Sequence, residues 1–274
     1  MLIRKRKLKR LSDDIRRLID GQNIDLRDNH QDIFSMLKND IHTLAYHKKE
    51  QFDALQQDRN VMMDMLANIS HQLKTPLTSM TIMADLLDNA PPDKQAEFIS
   101  NIQMGLTRME WLVSALLKMA KLDAGAVEFS ITDIQSGELI DLALEPLQIL
   151  LDIKSQSVEV LGQTQLNCDK RWTAEALTNV LKNASEYSPD GGVIRIEAGE
   201  NPICSWICVT DSGAGMTGAQ IKNLFNRFEG SRSDKGYGIG LPLALAIMRG
   251  QNGDIEVDGG GNGRGAAFML KLFK

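Results

Sequence analysis

Residues 66–87 read LANISHQLKTPLTSMTIMADLL, and their spacing decides how the first part of the chain folds. Leu66, Ile69, Leu73, Leu77, Met80, Ala84 and Leu87 step by threes and fours. That is the period of a helix presenting a single apolar seam, as coiled-coil strands do. At about 100° per residue, His71 falls roughly 160° from the direction of that seam. A histidine placed so fills no core; it faces solvent or a partner domain. Thr75, four residues on, shares the polar face. Pro76 sits inside the helical pattern, where it removes a backbone donor and frees the carbonyl of Gln72. This predicts a bent helix and a loosened turn at His71.

Working outward, Pro91-Pro92-Asp93 ends the first helix and starts a second. Ile99, Ile102, Leu106, Met109, Val113, Leu116 and Ala120 repeat the seam there. Two such helices form a hairpin with too little core of its own, so pairing into a four-helix bundle in a homodimer is expected. Upstream, the chain reads as nearly continuous helix, broken around Gly21-Gln22-Asn23. Residues 1–55 are taken as a helical connector and 56–124 as the hairpin domain. Leu122 to Ala126 breaks the period and reads as a linker.

From Val127 the character changes. Alternating apolar runs at Val193–Ala198, Ser205–Thr210, Asp254–Asp258 and Ala267–Leu272 predict strands. Helical patterns at Ser136–Leu151, Lys170–Tyr187 and Leu241–Arg249 fall between them. The expected architecture is therefore multi-domain: the all-α hairpin, then residues 127–274 as an α/β sandwich with a mixed sheet and helices on one face.

The 274 residues suit about two domains, and 43% apolar with 24% charged residues is an ordinary globular balance. A net charge of −5 gives no general reason to expect a nucleic-acid partner. Residues 1–20 nevertheless carry eight Lys/Arg against three Asp. Basic residues collect just inside membranes under the positive-inside rule, so attachment through a preceding segment absent from this chain is expected. No stretch here reaches the roughly 18 apolar residues that span a bilayer. Cys168, Cys204 and Cys208 form no metal pattern and read as buried, reduced thiols.

Three polar elements stand out in the second half. Asn179 and Asn183 lie one turn apart on an apolar amphipathic helix, followed by Tyr187-Ser188-Pro189. Burying such amides is costly unless they do polar work. Asp211-Ser212-Gly213-Ala214-Gly215 places a carboxylate at a strand end before two glycines, giving a hydrogen-bond acceptor beside a tight turn. After Leu224-Phe225-Asn226-Arg227-Phe228 comes a polar stretch, Gly230–Lys235, which reads as a lid; Ser231, Arg232 and Lys235 in it are candidate phosphate contacts. Gly236-Tyr237-Gly238-Ile239-Gly240-Leu241 follows, where glycines at alternate positions let the chain pass close to phosphates at a helix N-terminus. Gly259-Gly260-Gly261 is read as a turn between the last two strands. There is no Walker Gly-Lys-Ser/Thr and no Rossmann fingerprint.

The string from Asn68 to Leu77 resembles the phospho-acceptor box of sensor histidine kinases, and the three later elements resemble, in order, the Bergerat-type ATP site of the same family. The resemblance covers roughly residues 60–274. It implies that His71 accepts a phosphoryl group from ATP, with Gln72 beside it and Thr75 positioning water in the reverse reaction. It further implies a nucleotide set of Asn179, Asn183, Tyr187, Asp211, Gly213, Gly215, Arg227, Gly236, Gly238, Gly240 and Leu241. Within it Asn183 ligates Mg²⁺ and Asp211 reads the adenine amine. The implied partner is a response-regulator protein, and the implied setting is the cytoplasmic portion of a membrane receptor. Two positions depart from the pattern. Gln72 stands where an acidic residue usually serves as base, and Glu186 stands where Lys or His usually faces the γ-phosphate. A phosphatase-biased or weak kinase of the same fold is the alternative, ahead of a chaperone- or repair-type ATPase.

Overall fold

The seam spacing produces two long helices, followed by a sheet domain whose strands mostly alternate as expected. The computed structural model describes residues 2–19, 33–88, 90–227, 238–260 and 265–274. It divides into two compact units, Met1–Ala67 and Asn68–Lys274. The first holds α1 (Leu2–Ile19) and the first part of α2 (Ile33–Leu87). The break expected at Gly21–Asn23 lies outside the described residues. No helix among the described residues is long and apolar enough to cross a membrane.

In the second unit, α2 continues through Pro76 without interruption to Leu87. The Thr75 hydroxyl donates to the His71 carbonyl at 3.1 Å, so the turn before the proline keeps a local bond. The helix α3 (Pro92–Asp123) starts with proline in its first turn, where a missing N–H costs nothing. Met80 is buried against α3, where Gly105 makes room; a Cβ there would come 2.6 Å from the Met80 sulfur. Leu66, Leu77, Ile99, Leu106 and Val113 of the seams stay exposed.

The sheet domain has β1 (Ile131–Gln135), α4 (Ser136–Leu144), a 3₁₀ turn (Glu145–Leu147), α5 (Gln148–Ile153), β2 (Ser157–Leu161) and β3 (Gln165–Asp169). It continues with α6 (Lys170–Tyr187), β4 (Val193–Glu200), β5 (Cys204–Thr210), α7 (Gly218–Asn223), α8 (Gly240–Gly250), β6 (Gly253–Asp258) and β7 (Ala267–Phe273). The helix expected over Ser136–Leu151 is therefore two helices. Pro146 sits in the joint, where it cannot donate to Leu142.

Five strands form a mixed sheet in the order β2-β4-β5-β7-β6, with β2 parallel to β4 and the other pairs antiparallel. β1 and β3 pair as a separate antiparallel ribbon. Alternation places Ile194, Ile196, Ile207, Val209, Phe268, Leu270 and Leu272 in the core, under α6 and α8, with α4 packed on α6. Asp169 fixes the start of α6. Its Oδ1 accepts the Arg171 and Trp172 N–H groups, at 3.0 and 3.1 Å, which leaves two fewer orphan donors at the helix end. Gln251, buried at the end of α8, accepts the Asp169 N–H at 2.6 Å and so ties β3 to α8.

At the C-terminal end of α3 the buried row is Leu112, Ala115 and Met119, one position off the expected Val113, Leu116 and Ala120. That end of α3 packs on α8, so the sheet domain covers this row, next to the seam positions and distinct from them.

Candidate active site

α6 turns Thr173, Ala174, Leu177, Val180, Leu181 and Ala184 inward. Asn179 and Asn183 are half-buried at the edge of that face. The Asn179 amide donates to the Glu175 carbonyl at 3.0 Å. Its Oδ1 would lie 3.0 Å from a Cβ placed on Gly240, so a glycine at the start of α8 lets that helix approach the amide. Asn183 has no hydrogen-bond partner for its side chain among the described residues, which leaves a half-buried amide oxygen available.

Asp211, 6% exposed, leaves the end of β5. Its Oδ1 accepts the N–H groups of Gly213 at 2.8 Å and Ala266 at 3.1 Å. Its own N–H donates to the Ala266 carbonyl at 3.0 Å. Oδ2 accepts no hydrogen bond among the described residues. Burial pushes the Asp211 carboxyl above its ordinary value, and the two backbone donors pull it part of the way back. The result is a fixed acceptor with one oxygen committed to the backbone and the other uncommitted.

The surrounding backbone is tight. A Cβ on Gly213 would come 2.6 Å from the Tyr187 carbonyl, and one on Gly265 only 1.7 Å from the Asp211 carbonyl. Gly215 has φ +77° and Gly238 φ +65°, both in the region that favours glycine. A cavity of about 510 Å³ opens beside this loop, lined by Tyr187, Ser188 and Pro189 on one side and Ser212, Gly213 and Ala214 on the other. Leu241 is buried in the first turn of α8 and anchors it.

His71 is exposed on α2, Gln72 beside it is half-buried, and Thr75 is exposed. Arg227, expected at the nucleotide, is paired with Asp123 of α3 at 2.7 Å. Nearby, Lys118 of α3 meets Glu175 of α6 at 2.6 Å. Such part-exposed pairs contribute at most about 1 kcal/mol each. Lys182 lies 4.0 Å from Glu186 and 5.1 Å from the centre of the Trp111 ring, so the acid that departs from the kinase pattern has a cation one turn away. Phe228, the stretch Gly230–Lys235 with Ser231 and Arg232, Gly236, Tyr237 and Gly261 lie outside the described residues.

Sequence reasoning missed Gly265 and the Ala266 amide, and named Ser188 in the Tyr187-Ser188-Pro189 string without giving it a role. The Ser188 hydroxyl oxygen accepts the Ser212 N–H at 3.1 Å and so joins the end of α6 to the Asp211 loop. The three cysteines are buried and free, as expected, and burial raises the thiols of Cys168 and Cys208, which keeps them unreactive.

Among the described residues no group of three or more His, Cys, Asp or Glu could hold a metal. One neutral amide oxygen suits Mg²⁺, which keeps waters and takes its other ligands from substrate phosphates, better than an ion that needs a protein cage.

A histidine-bearing helical hairpin followed by this sheet domain defines the catalytic core of a two-component sensor histidine kinase, and the chain belongs to that family. Residues 61–125 match the His Kinase A (phospho-acceptor) domain. Residues 168–274 match the histidine kinase-, DNA gyrase B- and HSP90-like ATPase domain. The chain is 31% identical over 241 residues to the heme sensor protein HssS of Staphylococcus saprophyticus, covering 86% of this chain and 52% of that protein. It is 29% identical over 220 residues to the sensor histidine kinase WalK of Bacillus subtilis, covering 76% of this chain and 36% of that one. It thus spans about half or less of these curated relatives' length. The fold is shared with the histidine kinase ThkA, solved in complex with response regulator protein TrrA: TM-score 0.65 at 19% identity, covering 83% of this chain and 66% of that one. Acinetobacter baumannii histidine kinase AdeS gives a TM-score of 0.61 at 19% identity, covering 74% of this chain and 97% of that one.

Proposed function

We propose that this chain binds Mg-ATP in its C-terminal domain, phosphorylates His71, and passes the phosphoryl group to an aspartate of a response-regulator protein. The observation that carries the reading is Asp211: a buried carboxylate with one oxygen held by two backbone amides and the other uncommitted, in a loop whose next residues, Ser212 to Ala214, line a cavity. Such an oxygen accepts a hydrogen bond from an exocyclic amine such as that of adenine, in a place where leaving it unpaired is costly. Asn183 would hold the Mg²⁺, which spreads the charge developing on the phosphates. Gly238 and Gly240 let the chain approach those phosphates at the N-terminus of α8.

His71, held out from the hairpin, supplies the nucleophile. A neutral ring nitrogen attacks the γ-phosphorus in line, forming the P–N bond. The bond from that phosphorus to the bridging oxygen breaks, and ADP leaves with the electron pair. The other ring nitrogen must then lose its proton. Gln72 cannot take it, because an amide oxygen orients an N–H but is no base at neutral pH. The proton therefore goes to water. Exposed seam residues Leu66, Leu77, Leu106 and Val113 favour a homodimer, in which a second hairpin covers them. The basic start of the chain, with the length of the relatives beyond it, favours attachment to a membrane from the cytoplasmic side.

Gln72 favours one second reading, a kinase biased toward the phosphatase direction, with Thr75 positioning the attacking water. Incubation with γ-labelled Mg-ATP tests the first. Wild type should take up acid-labile label that vanishes in His71→Ala, and Gln72→Glu should take it up faster. Absence of label in wild type at every nucleotide concentration refutes the kinase reading. Loss of label from a phosphorylated regulator on adding the unlabelling wild type would leave the phosphatase reading standing.

A further inference from the structure

Gln156 lies just before β2, only 9% exposed, and its side-chain amide is fully engaged. Nε2 donates toward the carbonyls of Ser185 at 3.0 Å, Ser188 at 3.2 Å and Pro189 at 3.1 Å. Its Oε1 accepts the Ser185 hydroxyl at 2.6 Å. Lys154 donates to the carbonyls of Ser185 at 2.5 Å and Ser188 at 3.2 Å. The carbonyls of Ser185 and Ser188 belong to the last turn and cap of α6, where helix carbonyls have no partner of their own. Two side chains from the α5–β2 connection thus close the C-terminal end of the helix that carries Asn179, Asn183 and Tyr187.

The other side of the same turn carries the Asp211 loop. Ser188 Oγ accepts the Ser212 N–H, and the Tyr187 carbonyl packs so close to Gly213 that no Cβ fits between them. The Ser185–Pro189 turn is therefore clamped between the Gln156 amide and the Asp211–Gly213 loop. Gln156 does not itself line the cavity beside that loop.

We infer that Gln156 is a positioning residue for the nucleotide pocket, fixing the Ser185–Pro189 turn against which the Asp211–Gly213 loop is set. The inference rests on the proposed nucleotide-binding function and assigns how its pocket is held in shape. A glutamine does this where an aliphatic residue of the same size does not. One amide supplies two N–H donors to a cluster of carbonyls and one acceptor to the serine that closes the ring.

The test is titration of the full chain with trinitrophenyl-ATP and Mg²⁺, with a thermal melt of each variant. Gln156→Leu should weaken nucleotide binding about tenfold while the melting midpoint stays well above the assay temperature. Its labelling rate at saturating ATP should stay within about threefold of wild type, since the reacting groups are untouched. Ser188→Ala should weaken binding several-fold, and the double variant should bind within about twofold of the worse single, because both act through one turn. If Gln156→Leu does not fold, Gln156→Glu keeps the shape and the acceptor but loses the donors, and the same weakening is expected. Folded variants that bind within twofold of wild type, or single effects that multiply in the double, overturn the inference alone. A wild-type chain that binds no nucleotide overturns the function on which it rests.

Discussion

Asp211→Asn separates what this carboxylate does for binding from what it costs the fold. In the folded chain Oδ1 holds the Gly213 and Ala266 amides, while Oδ2 is uncommitted. An asparagine oxygen can keep both backbone bonds, so the loop survives. Its NH₂ group then replaces Oδ2 and presents a donor where the proposed adenine amine also presents donors. The loss is that of a hydrogen bond to a charged group, about 1.5–3 kcal/mol, or roughly a 10- to 150-fold weaker nucleotide Kd. Stability should move the other way. Burial raises the folded-state pKa of Asp211 above its unfolded value. The folded state then binds the proton more tightly, so this group's contribution to stability falls as pH rises from the ordinary carboxylate value through the raised one. Above that window the charged side chain is a fixed burden that asparagine does not carry. Asp211→Asn should therefore melt at or above wild type at neutral pH, with the difference shrinking as pH falls toward the ordinary carboxylate range. Fluorescent-nucleotide titration and melts at several pH values read both effects. Binding within threefold of wild type in a variant that folds would refute the assignment of Asp211 to the nucleotide base. A variant less stable than wild type at neutral pH would refute the burial argument.

Asn183→Ala should leave the melt unchanged, because its amide has no protein partner among the described residues. It should weaken Mg-nucleotide binding at least tenfold and metal-free nucleotide binding much less, as titrations with and without chelator would show. Gly265→Ala places a Cβ 1.7 Å from the Asp211 carbonyl, so backbone must move; a cost of about 3 kcal/mol and loss of nucleotide binding are expected by melt and titration. Leu112, fully buried on α3, should cost about 2–5 kcal/mol when cut to alanine, read in denaturant unfolding. An effect under 1 kcal/mol there would mean that the covered row on α3 is not the one described.

Much of this was open to a reader of the sequence, and the misses have a common cause. Helices α2, α3, α6 and α8 announce themselves through long apolar periods, β4 and β7 through alternation, and β5 through a short apolar run. β1, β2 and β3 each run five residues, too short for a period to stand out, and β2 is an edge strand that keeps Val160 and Leu161 exposed. The site shows the same division. Asn183, Asp211 and His71 are chemically conspicuous in their own windows, because an amide in an apolar helix or a carboxylate before two glycines asks for a polar purpose. What holds them comes from far along the chain. The Ala266 amide reaches Asp211 across 55 residues, and Gln156 reaches Ser185 across 29. A backbone N–H is present at every non-proline position and a glutamine before a strand is unremarkable, so neither leaves a local signature. The shifted row on α3 follows from the same logic. Which row the chain itself covers there is set by α8, more than a hundred residues downstream. Sequence spacing thus picks out the atoms proposed to meet a ligand, whereas the groups that hold those atoms are set by pairing across the fold. In this chain Gln156 and Lys154 converge on one short turn after Asn183, and a substitution at Gln156, which never enters the pocket, should be felt there first.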